Sequence, residues 1–162
     1  MFRMFAAAIA LLLPGASFAC LVPQGQSGPI PAVGIDLHVP MRVLVSAGGE
    51  HVLPCEGSTA AESGVTEDRI HLTRGPTASF DLSGMAPHIL AVRAFSDCPI
   101  RLIVAASSGS WHFGRDPRQP AAEGHGQELY VWAPGDGVLR VWVGTVSPDT
   151  CPGEVELETY DH

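Results

Sequence analysis

The sequence predicts an all-β protein, an antiparallel β-sandwich of jelly-roll character that forms a single domain behind an export leader. Three observations carry that reading. The last third of the chain is a succession of strand-like segments: WHFGRD at 111 to 116, ELYVWAP at 128 to 134, VLRVWVGT at 138 to 145 and EVELETY at 154 to 160. In the last of these Val155, Leu157 and Thr159 alternate with Glu154, Glu156 and Glu158, the period of two that a strand with one buried and one wet face needs. Turn signals recur about every ten residues, and no segment after the leader sustains a helical period, a combination that favours a sandwich.

The elements follow in order. Arg3 precedes an uncharged run from Met4 to Leu13, then Pro14-Gly15 and the small residues Ser17 and Ala19, which together read as a signal peptide over residues 1–19. An apolar run of about ten residues is too short for the roughly twenty a spanning helix requires, so no membrane span is expected. The protein is therefore expected to be periplasmic or secreted. Cys20 follows the cut directly. A lipid anchor there is not the favoured reading, because a lipoprotein leader usually carries Leu where this one has Ser17.

Residues 20–63 are expected to form an extended N-terminal arm and a β-hairpin. Pro23, Pro29, Pro31 and Pro40, with Gly25, Gly28 and Gly34, do not sustain a helix or a central strand. MRVLVS at 41 to 46 points Met41, Val43 and Val45 inward, Ala47-Gly48-Gly49 turns, and HVLPC at 51 to 55 returns as the hairpin partner. Residues 56–68 read as an acidic surface loop. Strands are then expected at RIHLT (69 to 73), ASFDL (78 to 82), HILAVRAF (88 to 95) and PIRLIVA (99 to 105), broken by Arg74-Gly75-Pro76-Thr77 and Ser96-Asp97-Cys98. In VLRVWVGT, Leu139, Val141 and Val143 share one face, and Val138, Arg140 and Trp142 the other.

Composition bounds the partners. Nine arginines and no lysine face seventeen acids in 162 residues, for a net charge of −8. That balance argues against nucleic acid, whose affinity comes largely from cations neutralising phosphates. The four cysteines, Cys20, Cys55, Cys98 and Cys151, include no CxxC, and in an exported chain they read as disulfides. Three pairings exist. Cys98 with Cys151 and Cys20 with Cys55 are favoured, because Cys98 and Cys151 each stand just before a β run.

The region from about Gly64 to Tyr160 resembles the bacterial pre-peptidase C-terminal domain. The resemblance rests on order: ASFDLSG at 78 to 84, LAVRAFSDCPIRLIV with its acidic turn, Gly109-Ser110-Trp111-His112-Phe113, a polar loop, the VWVGT box at 141 to 145 and an acidic closing strand. It implies a small β-sandwich module over residues 64–162, forming one globular unit with 20–63, of the kind usually attached to secreted proteases. Members of that family often carry consecutive acids after the aromatic pair that can hold calcium. This chain has Gly114-Arg115-Asp116-Pro117-Arg118 instead, a poor start for a cation needing several oxygen ligands.

Motifs for chemistry are sparse. Seven histidines are scattered without HExxH spacing; the nearest approach to a metal set is His112, Asp116 and His125 meeting across one loop. No GxSxG elbow places a serine nucleophile. The aromatics carry more information. Tyr130 and Trp132 on one strand, with Arg140 and Trp142 on the next, are read as outward-facing, either as a platform for a protein or glycan ligand or as a layer covered by a second sheet, the arm or the hairpin. The resulting expectation is a non-catalytic exported binding or accessory module. The alternative is an extracytoplasmic metal-dependent hydrolase or metal-binding protein built on His112, Asp116 and His125.

Overall fold

A computed structural model describes residues 21, 28–53, 69–115 and 125–161. Residues 1–19, expected to be a leader, Cys20, Cys55, residues 56–68 and Asp116 lie outside the described residues. The strands are β1 (Ile30–Val33), β2 (Met41–Ala47), β3 (His51–Leu53), β4 (Ile70–Leu72), β5 (Ala78–Ser83), β6 (His88–Ser96), β7 (Ile100–Ala105), β8 (Trp111–Phe113), β9 (His125–Trp132), β10 (Gly137–Thr145) and β11 (Cys151–Asp161). A 3-10 turn, Asp36–His38, follows β1. Among the described residues no helix is long and apolar enough to cross a membrane.

Two sheets face each other. A seven-stranded sheet runs β1-β5-β10-β4-β3, with β7 on the other flank of β10 and β8 beyond it; the second sheet runs β2-β11-β6-β9. The expected β-sandwich is what forms, and among the described residues its strand pairings are antiparallel except for β1 on β5. Alternation explains why the sheets pack. Leu139, Val141 and Val143 of β10 join Phe80, Leu102 and Val104 from their own sheet and Leu90, Val92, Val155 and Leu157 from the other in one buried cluster. Each such side chain contributes about 1.5 to 3 kcal/mol on leaving water, so the inner faces hold the layers together.

Two expectations are corrected by the structure. The segments 41 to 46 and 51 to 55 do not form a hairpin: β2 pairs with β11 in one sheet, whereas β3 pairs with β4 in the other. Gly48, at φ 89°, takes the left-handed backbone that lets the chain leave one layer for the other. Within the extended arm Ile30–Val33 adds to β5 as a parallel edge strand, the place in a sheet where Pro31 is tolerated. Finally, Glu156 belongs to no wet face; it is only 5 % exposed.

The pairing of Cys98 with Cys151 is as expected, with their Cα atoms 6.3 Å apart. Cys98 lies where the chain passes from β6 to β7, and hence from one sheet to the other, so the bond ties that crossover to the start of β11. Ser96 reinforces the junction by donating its hydroxyl to the Pro152 carbonyl at 2.7 Å. A second apolar cluster lies on the outer side of the seven-stranded sheet, where Leu53, Ile70, Leu72, Ile103 and Trp142 pack with Trp111 and Phe113.

Candidate functional site

The expected quartet of outward residues is divided by the fold. Strand β9 belongs to the four-stranded sheet and β10 to the seven-stranded one, so they are not neighbours and Tyr130 and Trp132 share no surface with Arg140 and Trp142. Period two does turn Trp142 away from the main core, but into the second cluster, where it has no exposed surface. Its indole Nε1 is buried without a hydrogen-bond partner. Arg140 is half-buried.

Tyr130 and Trp132 remain on the outer face of the four-stranded sheet, and register identifies their companions. Trp132, Ile89 and Tyr160 form one row across β9, β6 and β11; Tyr130, Ala91 and Glu158 form the next; Glu128, Arg93, Glu156 and Arg42 form the third. Side chains in directly opposed positions lie close enough to touch. Trp132 is 69 % exposed, whereas Ala91 beneath the tyrosines is fully buried. The two tyrosine rings stand 6.5 Å apart at 45°. A small residue between large aromatics thus leaves a shallow floor with an indole at its edge.

The charged row holds these rings in place. Arg93 donates to Glu156 Oε1 at 2.8 Å, to Glu158 Oε2 at 2.6 Å and to the Tyr160 hydroxyl at 2.7 Å, and Arg42 Nη2 meets the other Glu156 oxygen at 2.9 Å. The Tyr160 hydroxyl in turn donates to Glu158, and that of Tyr130 to Glu128 at 3.3 Å. Burial alone works against the Arg93 cation, but its hydrogen bonds to Glu158, Tyr160 and Glu156 outweigh that and hold it charged, above its ordinary range. Burial likewise disfavours the Glu158 carboxylate, and is overcome by the Tyr160 and Arg93 hydrogen bonds, which leave its pKa below the ordinary value. Burial raises the Tyr160 pKa, and the bond to Glu158 raises it further. The face is accordingly rigid, polar at one side and aromatic at the other.

The expected metal set is not assembled by the described residues. His112 lies on β8, where its Nε2 is 3.0 Å from Ser110 Oγ and burial lowers its pKa. His125 opens β9 in the other sheet, and Asp116 lies outside the described residues. Ile89, Arg93 and Tyr160 escaped the sequence reading as members of a site. Their outward position was available from the alternation of HILAVRAF and EVELETY, but the strand beside them was not.

Comparison with known proteins bears on the fold. No family model and no curated protein matches the sequence. The fold is similar to a solved pre-peptidase C-terminal domain. That domain comes from a collagenase of Bacillus anthracis, shares 11 % identity, and matches over 83 % of this chain and 99 % of its own, with a TM-score of 0.44. At this identity the likeness to the pre-peptidase C-terminal domain is one of fold.

Proposed function

We propose that this protein is an exported, non-catalytic binding module that holds a glycan on the outer face of its four-stranded sheet. One observation carries the reading: Trp132 stands 69 % exposed at the end of a row with Ile89 and Tyr160, beside tyrosines whose hydroxyls are engaged by fixed charged partners. A sugar ring presents a flat apolar face edged by hydroxyls, and an indole beside a polar row complements both at little cost in ordering. Export is supported by the Cys98–Cys151 disulfide, a bond that persists in oxidising compartments, and by the leader-like N-terminus.

The test is a glycan array and a peptide array probed with the purified mature chain and with Trp132→Ala. Substitution at so exposed a position should change stability by no more than about 0.5 kcal/mol while abolishing glycan binding. Absence of any glycan signal, or an undiminished signal in the variant, would overturn the reading. Peptide binding lost in Trp132→Ala would keep the face but replace the ligand class by protein.

A further inference from the structure

At one end of the sandwich two imidazoles and a carboxylate converge from three elements that are far apart in sequence. His88 and Asp161 are the terminal register pair of β6 and β11. They continue the inner faces of those strands, past Leu90 on one and Thr159 on the other, so their side chains emerge where the two layers open. His38, the last residue of the 3-10 turn, closes over them, its ring edge-on to that of His88 with centroids 5.2 Å apart. The turn is held there by two bonds, from the Thr159 hydroxyl to the Gly34 carbonyl at 2.7 Å and from the Gly34 amide to Ser83 O at 2.8 Å. Gly34 has to be glycine for this seat: a Cβ would lie 2.6 Å from Gly84 O and 2.7 Å from Cδ2 of His88.

The distances suit a common cation. Asp161 Oδ1 lies 3.4 Å from His38 Nε2 and 3.3 Å from His88 Nδ1, and all three ligand atoms lie within 4.8 Å of one another. Zinc bonded to nitrogen and oxygen at about 2.0 to 2.1 Å in tetrahedral geometry separates neighbouring ligand atoms by about 3.3 Å. A second observation is independent of spacing. His88 is 5 % exposed, and its Nδ1 is buried without a hydrogen-bond partner even though Asp161 is near. Buried polar atoms are nearly always satisfied, and an imidazole nitrogen aimed at a carboxylate without bonding it is placed as a metal ligand is placed.

We propose that His38, His88 and Asp161 bind a divalent cation of the zinc class. Imidazole and carboxylate together suit zinc and its first-row neighbours better than calcium or magnesium, which take oxygen ligands. Three protein ligands leave a fourth position, and it faces solvent, because the His38 and Asp161 side chains are 37 % and 76 % exposed. The site is separate from the aromatic face, which lies on the outside of the sheet whose inner rim it occupies.

The experiment uses the mature chain without an affinity tag, stripped with chelator and titrated with zinc chloride by calorimetry, with cobalt chloride followed by visible absorption. One equivalent of zinc should bind, and cobalt should give the intense visible bands of a tetrahedral centre. His38→Ala and Asp161→Asn are at exposed positions and should keep the metal-free melting temperature while weakening zinc more than tenfold. His112→Ala and His125→Ala should leave it unchanged. Failure of the chain to bind a stoichiometric ion overturns the proposal, as does binding lost in His112→Ala but kept in both His38→Ala and Asp161→Asn.

Discussion

Trp111 lies across Trp142 with ring centroids 5.3 Å apart and planes inclined by 31°. An indole on the outward side of β10 is therefore roofed by an aromatic from β8, and the seven-stranded sheet has apolar residues packed on both faces. Truncation separates this residue from an exposed one. Trp142→Ala should cost about 3 to 5 kcal/mol in denaturant unfolding, as removal of a large core aromatic does. A cost below about 1 kcal/mol, the usual size at a surface, would show that the second cluster is not a core.

Arg93 joins three acids that would otherwise repel one another. Its side chain is 18 % exposed, and those of Glu128 and Glu156 are 5 % and 7 %, so Arg93→Ala takes this cation from Glu128 and Glu158 and leaves Glu156 with Arg42 alone. The expected loss is about 3 to 5 kcal/mol. Arg93→Met combined with Glu156→Leu should cost less than the sum of the two single changes, because the Arg93–Glu156 pair is lost in each single variant and can be lost only once; strict additivity in a double-mutant cycle would deny the coupling.

The same network sets two limits on stability with pH. Glu158 has a lowered pKa in the folded protein, so its contribution is complete above its ordinary value of 4.5 and is lost as pH falls through the lower native value. Tyr160 has a raised one. Its contribution is complete below the ordinary value of 10.0 and disappears as pH rises through the native value. Melting curves should thus show the difference between the native protein and Glu158→Gln shrinking at acid pH, and that between the native protein and Tyr160→Phe shrinking at alkaline pH. Differences that stay constant through both windows would contradict the assignment.

The disulfide closes a loop with a sequence separation of 53. On the chain-entropy account, loss of such a closure costs about 4 kcal/mol. Cys98→Ser with Cys151→Ser should lower the denaturation midpoint accordingly, and the sheets should survive by circular dichroism, since the core of inner-face residues is untouched. A double variant as stable as the native protein would leave the bond without a structural role.

Much of the fold was legible in strand patterns. Alternation identified Leu139, Val141 and Val143, and Val155 and Leu157, as one-faced sets, and the positions of Cys98 and Cys151 before β runs anticipated their bond. The candidate face was only half legible. Tyr130 and Trp132 were found because their own strand turns them outward, whereas Ile89, Arg93 and Tyr160 join them through register between β6, β9 and β11, which no local pattern encodes. Glu156 reads as a solvated acid in EVELETY, and is buried because Arg42 and Arg93 from two neighbouring strands close over it.

By itself, then, the sequence determined which side of its own strand each residue takes, because that follows from the backbone period alone. Only the tertiary structure decided what meets that side. The assignment of β9 and β10 to different sheets sent Trp132 to solvent and Trp142 to a second core, although both stand on the outward side of a strand of similar composition. The convergence of His38, His88 and Asp161 was decided in the same way, by the docking of a short turn on the last pair of β6 and β11. Contacts of this kind depend on sheet order, which is selected by the packing of the whole core.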